Sequence, residues 1–187
     1  STADYEVVVS VPALSSNKAL SSLTVDGVAV VAGGTVSKVF GTSSVEVSAV
    51  AEDVNADVVV SGVTGLVSGS NTVTVAVTAE DGSKASYTFT VEVARSSEVG
   101  VESISVGGSL VSVGGSVVVP FGTASVDVVA VASDVNASTQ VFGVSGLVVG
   151  LNTVSVRVTA EDQSSRVYEF QVRVARSNNT GLLGVSV

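Results

Sequence analysis

The fold is decided by residues 71–95, which read NTVTVAVTAEDGSKASYTFTVEVAR. In each half of this stretch, one set of alternate residues is apolar and the other is mostly polar, which predicts two β-strands with one buried face each. Between the halves, Gly82 can take the positive φ of a tight turn, so the stretch predicts an antiparallel hairpin. The predicted buried positions are Val73, Val75, Val77, Ala79, Tyr87, Phe89, Val91 and Val93.

This stretch returns 81 residues later as NTVSVRVTAEDQSSRVYEFQVRVAR, residues 152–176. The similarity extends outward, because the sequence from Leu20 aligns with the sequence from Val101 without a gap, and roughly half of the aligned positions are identical. The chain therefore contains two copies of one module, residues 18–96 and 99–177. Gln163 replaces Gly82 in the second copy, so its hairpin turn must differ or be strained.

The rest of the module consists of short apolar segments between turn residues, with little helical periodicity. About seven short strands in 81 residues predict an all-β fold: two tandem Ig/cadherin-like Greek-key β-sandwich modules. The largest side chains are expected to anchor the cores: Tyr87, Phe89 and Phe40, with Tyr168, Phe170 and Phe121. Besides the hairpin, strands are predicted at Leu20–Val25, Val28–Val31, Val36–Phe40, Ser44–Ala51, Val58–Ser61 and Val63–Val67.

Both ends of the chain resemble fragments of the same module. Residues 1–12 are interpreted as the last strand of a preceding repeat, with Tyr5 in the place of Tyr87. Residues 180–187 are interpreted as the first strand of a following repeat, with Leu182 in the place of Val101. A lone strand cannot pair its backbone groups or bury its apolar face. The fragments therefore predict partners, either neighbouring repeats of the same polypeptide, which we favour, or head-to-tail subunits.

The composition excludes several classes of function. Valine dominates the apolar residues, which favours sheet. Seventeen acidic residues against eight basic ones give a net charge of −9, so we expect no nucleic-acid partner. The sequence contains no run of 18 or more apolar residues, so no membrane span is predicted. Cysteine and histidine are absent, and no acid–base pair stands out from solvated surface charge, so we expect no catalytic residues, no cofactor and no enzyme.

The module resembles the bacterial cadherin-like β-sandwich repeats. The features that carry the resemblance are LSSLTVDG (Leu20–Gly27), Phe40 in mid-module and the closing hairpin of residues 71–95. Such repeats occur in large secreted or surface-attached bacterial proteins, as spacers, stalks or adhesive arrays. The resemblance therefore implies an extracellular or cell-surface location and a structural or adhesive role.

The chain departs from true cadherins, which bind calcium between modules through clustered acids. Its inter-module segments, residues 95–100 and 176–181, carry Glu98 alone and no acid, respectively, whereas calcium needs six to eight oxygen ligands. Acid pairs do repeat inside the modules. Turn chemistry is the interpretation that we favour for them, with a cation site as the alternative, and we predict no metal site. The repeated residues are Asp53, Asn55, Glu80 and Asp81, with Asp134, Asn136, Glu161 and Asp162.

Three hypotheses of function remain at this stage. The first is a structural or adhesive array, a stalk or filament segment of a large bacterial surface protein. The second is a spacer in a phage virion or tail fibre. The third is a glycan-binding module, although the chain has no Trp and its other aromatic residues are predicted to lie in the cores.

Overall fold

The computed structural model describes residues 4–178, and they divide into two units, one ending at Arg95 and the other beginning at Ser96. The described residues contain strands, turns and loops but no helix, so the predicted all-β fold class is confirmed. The first unit contains these strands: β1 (Leu20–Val25), β2 (Val28–Ala29), β3 (Thr35–Lys38), β4 (Val47–Ala51), β5 (Asp57–Ser61), β6 (Gly69–Thr78) and β7 (Lys84–Val93).

These strands form two sheets, of order β2-β1-β4 and β3-β7-β6-β5. The chain changes sheet three times, between β2 and β3, between β3 and β4, and between β4 and β5. Every pairing is antiparallel except that of β3 with β7, which runs parallel over four residue pairs. The hairpin predicted at residues 71–95 is β6–β7, and its register pairs Val73 with Phe89 and Val75 with Tyr87.

The core of the first unit lies between its two sheets. Alternation along β6 and β7 places all the apolar residues of one face inward, as predicted, and Val73, Val75 and Val77 are fully buried. β1 contributes Leu23 and Val25 from the opposite sheet. Because β-branched side chains pack well on a pleated surface, a core of valines with one large ring, Phe89, is sufficient to join the sheets.

The second unit repeats this architecture. Its strands are β8 (Val101–Val106), β9 (Ser109–Leu110), β10 (Ser116–Val119), β11 (Val128–Ala132), β12 (Ser138–Phe142), β13 (Gly150–Thr159) and β14 (Ser165–Val174). The sheets have the orders β11-β8-β9 and β10-β14-β13-β12, and the closing hairpin pairs Val154 with Phe170. Phe170 is the largest buried side chain of its core.

The prediction that Phe40 and Phe121 anchor the cores is wrong, because these side chains are 51% and 58% exposed. Phe40 continues the inward phase of β3, but β3 ends at Lys38. The chain then turns at Gly41, with φ +84°, and the N–H of Thr42 donates to the C=O of Val39. Because of this turn, the ring of Phe40 points away from the core, although its place in the alternation would have put it inside.

The predicted strand Val63–Val67 is also wrong. Positive φ angles at Gly62 and Gly65 interrupt an extended backbone there, and the segment makes a single bridge, between Thr64 and Ser44. The predicted strand Val28–Val31 shortens to Val28–Ala29 because a turn follows.

The hairpin turn of the second unit has the same geometry as that of the first unit, so Gln163 is strained. The N–H of Gly82 donates to the C=O of Ala79 in the first unit, and Gln163 makes the same bond to Ala160 in the second. Gln163 accordingly has φ +75°, close to the +82° of Gly82. A side chain with a Cβ is disfavoured in this left-handed region, whereas glycine is not.

We expect the substitution Gln163→Gly to raise the free energy of unfolding of the second unit by about 0.5–1 kcal/mol, the cost of positive φ less the greater chain entropy of glycine. Urea unfolding monitored by circular dichroism measures the change. The reciprocal variant Gly82→Gln is the control, and we expect it to destabilise the first unit by a similar amount. A lower urea midpoint for Gln163→Gly would contradict the assignment of strain.

The end segments keep their predicted role as a hypothesis. Residues 4–12 belong to no strand, and the apolar side chains of the segment, including Tyr5 and Val7, are exposed. The other predicted fragment, residues 180–187, lies outside the described residues. The proposal that both fragments complete neighbouring repeats stays a prediction.

Candidate functional site

Each unit is entered through a short segment, the lead-in, that is bonded to the closing hairpin. In the first unit the lead-in comprises residues 15–19. The N–H of Ser15 donates to Oε2 of Glu80 at 3.1 Å, and the N–H of Asp81 donates to the C=O of Ser15 at 3.0 Å. The hydroxyl of Tyr87 donates to the C=O of Lys18 at 3.0 Å. The lead-in is therefore held by backbone and side-chain groups 65–69 residues further along the chain.

The second unit repeats these three bonds in its own lead-in, residues 96–100. The N–H of Ser96 donates to Oε2 of Glu161 at 3.2 Å, and the N–H of Asp162 donates to the C=O of Ser96 at 3.0 Å. The hydroxyl of Tyr168 donates to the C=O of Val99 at 2.9 Å. The half-buried tyrosines thus have two roles, since their rings pack against the cores as predicted and their hydroxyls hold the lead-ins.

The repeated Asp53 and Asp134 organise the turn after β4 and its counterpart after β11. Oδ1 of Asp53 accepts from the N–H of Asn55 at 2.9 Å, and Oδ1 of Asp134 accepts from the N–H of Asn136 at 2.8 Å. The hydroxyl of Ser15, and next the N–H of Asn55, lower the pKa of Asp53 from its ordinary value. Hydrogen bonds to the carboxylate favour its ionised form. In the second unit the hydroxyl of Ser96, and next the N–H of Asn136, lower the pKa of Asp134.

The other repeated acids sit in the hairpin turns. Oδ1 of Asp81 accepts from the N–H of Ser83 at 2.8 Å, and Asp162 accepts from Ser164 at the same distance. The side chain and then the backbone N–H of the serine lower the pKa of each aspartate. This is the predicted turn chemistry, in which a short acidic side chain satisfies backbone donors two residues on.

Asn71 and Asn152 form a second set of hydrogen bonds that hold a loop in each unit, and this set was not predicted from the sequence. Oδ1 of Asn71 accepts from the N–H of Val67 at 3.0 Å, while its Nδ2 donates to the C=O groups of Val67, Gly69 and Val91. Asn152 makes the equivalent bonds. Each asparagine therefore ties the loop before the long hairpin to the last strand of its unit. The sequence signal for this role is that asparagine begins both hairpin stretches, residues 71–95 and 152–176.

The described residues offer little for chemistry. Within residues 4–178, no group of three or more His, Cys, Asp or Glu side chains could hold a metal ion. A shallow crevice of ≈ 420 Å³ in the first unit is lined by small and apolar residues with Tyr87, and its lining contains no carboxylate or amine. No helix in the described part of the chain is long and apolar enough to cross a membrane. The expectations of no enzyme, no cofactor and no metal stay predictions.

Acid should lower the free energy of unfolding of both units. The pKa values of Asp53 and Asp134 lie below 3.8 in the folded state. The ionised carboxyls therefore stabilise the fold above that pH, and the contribution is lost as the pH falls below 3.8 and through the folded-state pKa. We expect urea midpoints measured from pH 7 to pH 2 to fall in that window.

The matched control for the acid prediction is the double variant Asp53→Asn with Asp134→Asn. Asparagine keeps the Oδ1 acceptor of each turn but does not titrate. The variant should therefore lose less stability between pH 4 and pH 2 than the unchanged chain. A loss as steep as that of the unchanged chain would show that these two carboxyls are not responsible.

Comparisons with known proteins add little to this description. No family model matches the chain, and no curated protein matches it. Among solved structures, the chain is similar to fibronectin(III)-like modules of Clostridium thermocellum CbhA, at 15% identity over 88% of this chain and 100% of that chain, with a TM-score of 0.27. A similarity at that TM-score carries no argument about this chain. The resemblance to bacterial cadherin-like repeats remains a prediction.

Proposed function

We propose that the chain is a structural or adhesive segment of a tandem β-sandwich array, a stalk or filament in a large extracellular protein of the bacterial surface. The observation that carries the proposal is that the repeated polar side chains form hydrogen bonds within their own unit. The side chains of Asp53, Asn71 and Asp81 bind backbone groups of their own unit, and the second unit repeats these bonds. Residues that keep a fold rigid have been retained between the copies, and these bonds do not converge on a pocket.

The lead-ins support the same role. A spacer transmits position only if the chain entering each unit is fixed, and a Gly- or Ser-rich coil would not fix it. Here the first residue of the second lead-in, Ser96, is bonded to Glu161 and Asp162. Ala94, two residues earlier, donates its N–H to the C=O of Lys38 in the first unit. The free length of chain between the two sets of bonds is therefore very short.

Single-molecule stretching between the two chain ends tests the proposal. A spacer of independent units should give two separate unfolding events. Each event should lengthen the chain by about 240 Å, which is roughly 80 residues at 3.6 Å per residue less the span of the folded unit. One event of twice this length, or gradual extension without events, would contradict independent structural units.

We also expect the stability of the chain to be independent of calcium. The repeated aspartates in the described residues already accept hydrogen bonds from backbone N–H groups and hydroxyls. A calcium ion could bind their carboxylates only by breaking these bonds. Calorimetric titration should show no binding tighter than about 1 mM, the weak limit of extracellular calcium sites. The melting temperature should likewise be equal in calcium and in chelator. A micromolar affinity would refute the prediction.

A further inference from the structure

One face of the second unit has an unusual composition for a solvated surface. The outward side of the sheet β10-β14-β13-β12 carries four apolar side chains that are between 50% and 67% exposed. We call them the apolar quartet: Val118, Phe142, Leu151 and Val167. Exposed apolar residues are ordinary singly, but a group on one face bordered by polar residues marks an interaction site.

The first unit provides an internal reference, because the same fold presents the equivalent face there. All four positions of the quartet hold exposed serines in the first unit: Ser37, Ser61, Ser70 and Ser86. The fold therefore does not require apolar residues at these positions. The quartet distinguishes the second unit from the first. Packing of the core does not explain why these four positions are apolar.

The register of the strands places the quartet around two arginines. Val118 and Leu151 both pair with Arg173, one from each side. Val167 pairs with Arg157, and Phe142 pairs with Ser155, which lies in one of the two outward rows between the arginines. The arginines also distinguish the copies, because the first unit has Glu92 in place of Arg173 and Ala76 in place of Arg157.

Several polar side chains of this face are already bonded to one another across the strands. Nε and Nη2 of Arg157 donate to Oγ of Ser165 at 3.3 and 3.1 Å. Nε2 of Gln171 donates to Oγ1 of Thr153 at 3.1 Å. Side chains that are ordered before contact lose less entropy on binding. The face is therefore prepared for docking against a flat partner.

We propose that this face binds the same face of a second copy of the chain, so that second units associate laterally in pairs. The charges on the face favour this occupant. Arg157 and Arg173 stand with Glu169 on one surface, so the face carries both signs, and a two-fold contact can set Glu169 of each copy against an arginine of the other. An isologous contact would also bring quartet against quartet, and two packed sheets bury their facing side chains in this way.

The size of the face predicts a weak contact. Two strands of ten residues and two of four and five residues cover about 470 Å² of sheet plane, at roughly 3.4 Å per residue and 4.8 Å between strands. Two copies would then bury on the order of 1,000 Å², below the usual size of a stable complex. We expect a dissociation constant between about 10 µM and 1 mM. The contact does not depend on the proposed structural role, although an array would strengthen it by multivalency.

The test is sedimentation equilibrium of the full chain at protein concentrations up to about 1 mM. The expected result for the unchanged chain is a monomer–dimer equilibrium. The variant V118S/F142S/L151S/V167S, which carries the serines that the first unit already accepts, should associate at least ten-fold more weakly. Dilution followed by NMR should shift backbone amide signals of β10, β13 and β14 and not those of the equivalent strands β3, β6 and β7.

The matched control is L110A/V129S, which introduces the residues of the first unit on the other sheet of the second unit. It should dimerise like the unchanged chain. A chain that stays monomeric at 1 mM would overturn the proposal. So would a quartet variant that is folded by circular dichroism and associates as strongly as the unchanged chain, which would place the contact elsewhere, for example on the exposed apolar residues 5–11.

Discussion

Replacing Phe89 with alanine is expected to cost the first unit a large part of its stability, while the second unit keeps its own. Among the described residues of this core, Phe89 carries the one fully buried aromatic ring, and it lies between the two sheets. Its neighbours are mainly valines, which are too stiff and too short to close the cavity that the ring would leave. Removal of a buried phenylalanine costs about 3–5 kcal/mol. A unit of roughly 80 residues has a stability of only about 4–12 kcal/mol.

Hydrogen exchange measured by mass spectrometry can separate the two units, because their peptides differ in sequence. For Phe89→Ala we expect exchange throughout β6 and β7 to become at least 100-fold faster, as a loss of about 3–5 kcal/mol predicts, with β13 and β14 as protected as in the unchanged chain. Phe170→Ala should give the mirror result. Loss of protection in both units from either variant would contradict independent cores.

The control uses the phenylalanines that the cores do not contain. Phe40→Ala removes an equal number of atoms from the same unit, but from a half-exposed position after β3. It should cost less than about 1 kcal/mol, since little buried area and no cavity are involved. A cost equal to that of Phe89→Ala would mean that the turn at residues 39–42 does not hold the ring outside the core.

The difference between these two phenylalanines shows what the sequence can predict. Phe89 lies in an uninterrupted alternation of ten residues, and an inward phase of that length cannot be confused with the outward one. The hairpin β6–β7 was therefore predictable in extent, face and partner. Phe40 has the correct phase relative to β3, but that strand is only four residues long. Phase predicts burial only while the strand continues, and its end depends on the turn at Gly41.

The polar network was predictable in kind but not in geometry. Asx-type turns at Asp53 and Asp81 involve residues two positions away, and local sequence is sufficient to suggest them. The bonds that hold the lead-in join groups about 65 residues apart, such as Ser15 and Glu80. No local pattern encodes such a contact. Its trace in the sequence is the return of the same residue types in the second copy.

The apolar quartet was missed for a different reason. The residues that the two copies share are predicted to lie in the core and in the turns. The differences between the copies become informative only when the strand register brings them onto one face. Val118 and Leu151 are 33 residues apart in the chain and flank one arginine in the sheet.

Replacing Gly62 with alanine is the second substitution for which we expect a large loss of stability. Gly62 follows β5 with φ +79°, and a Cβ built there lies 2.5 Å from the carbonyl oxygen of Thr72. That oxygen belongs to the backbone of β6, a strand paired on both sides, so it cannot move aside without disturbing the sheet. Positive φ costs an alanine about 1–2 kcal/mol, and overpacking in a rigid site adds about 1–3 kcal/mol. Since alanine also loses less chain entropy than glycine on folding, by roughly 0.5–1 kcal/mol, we expect a total of roughly 1.5–4 kcal/mol.

Gly65 separates the two contributions, because it has φ +70° and a Cβ there would meet nothing within 4 Å. Gly65→Ala should therefore cost only about 0.5–1 kcal/mol, the cost of positive φ less the greater chain entropy of glycine, and the excess cost of Gly62→Ala measures the backbone approach itself. Gly143, with the same 2.5 Å approach to Thr153, and Gly146 form the equivalent pair in the second unit. Urea unfolding of all four variants gives two independent estimates of this excess. Equal costs at Gly62 and Gly65 would show that the strand after β5 can yield, and that conformational strain alone explains why glycine occupies both positions.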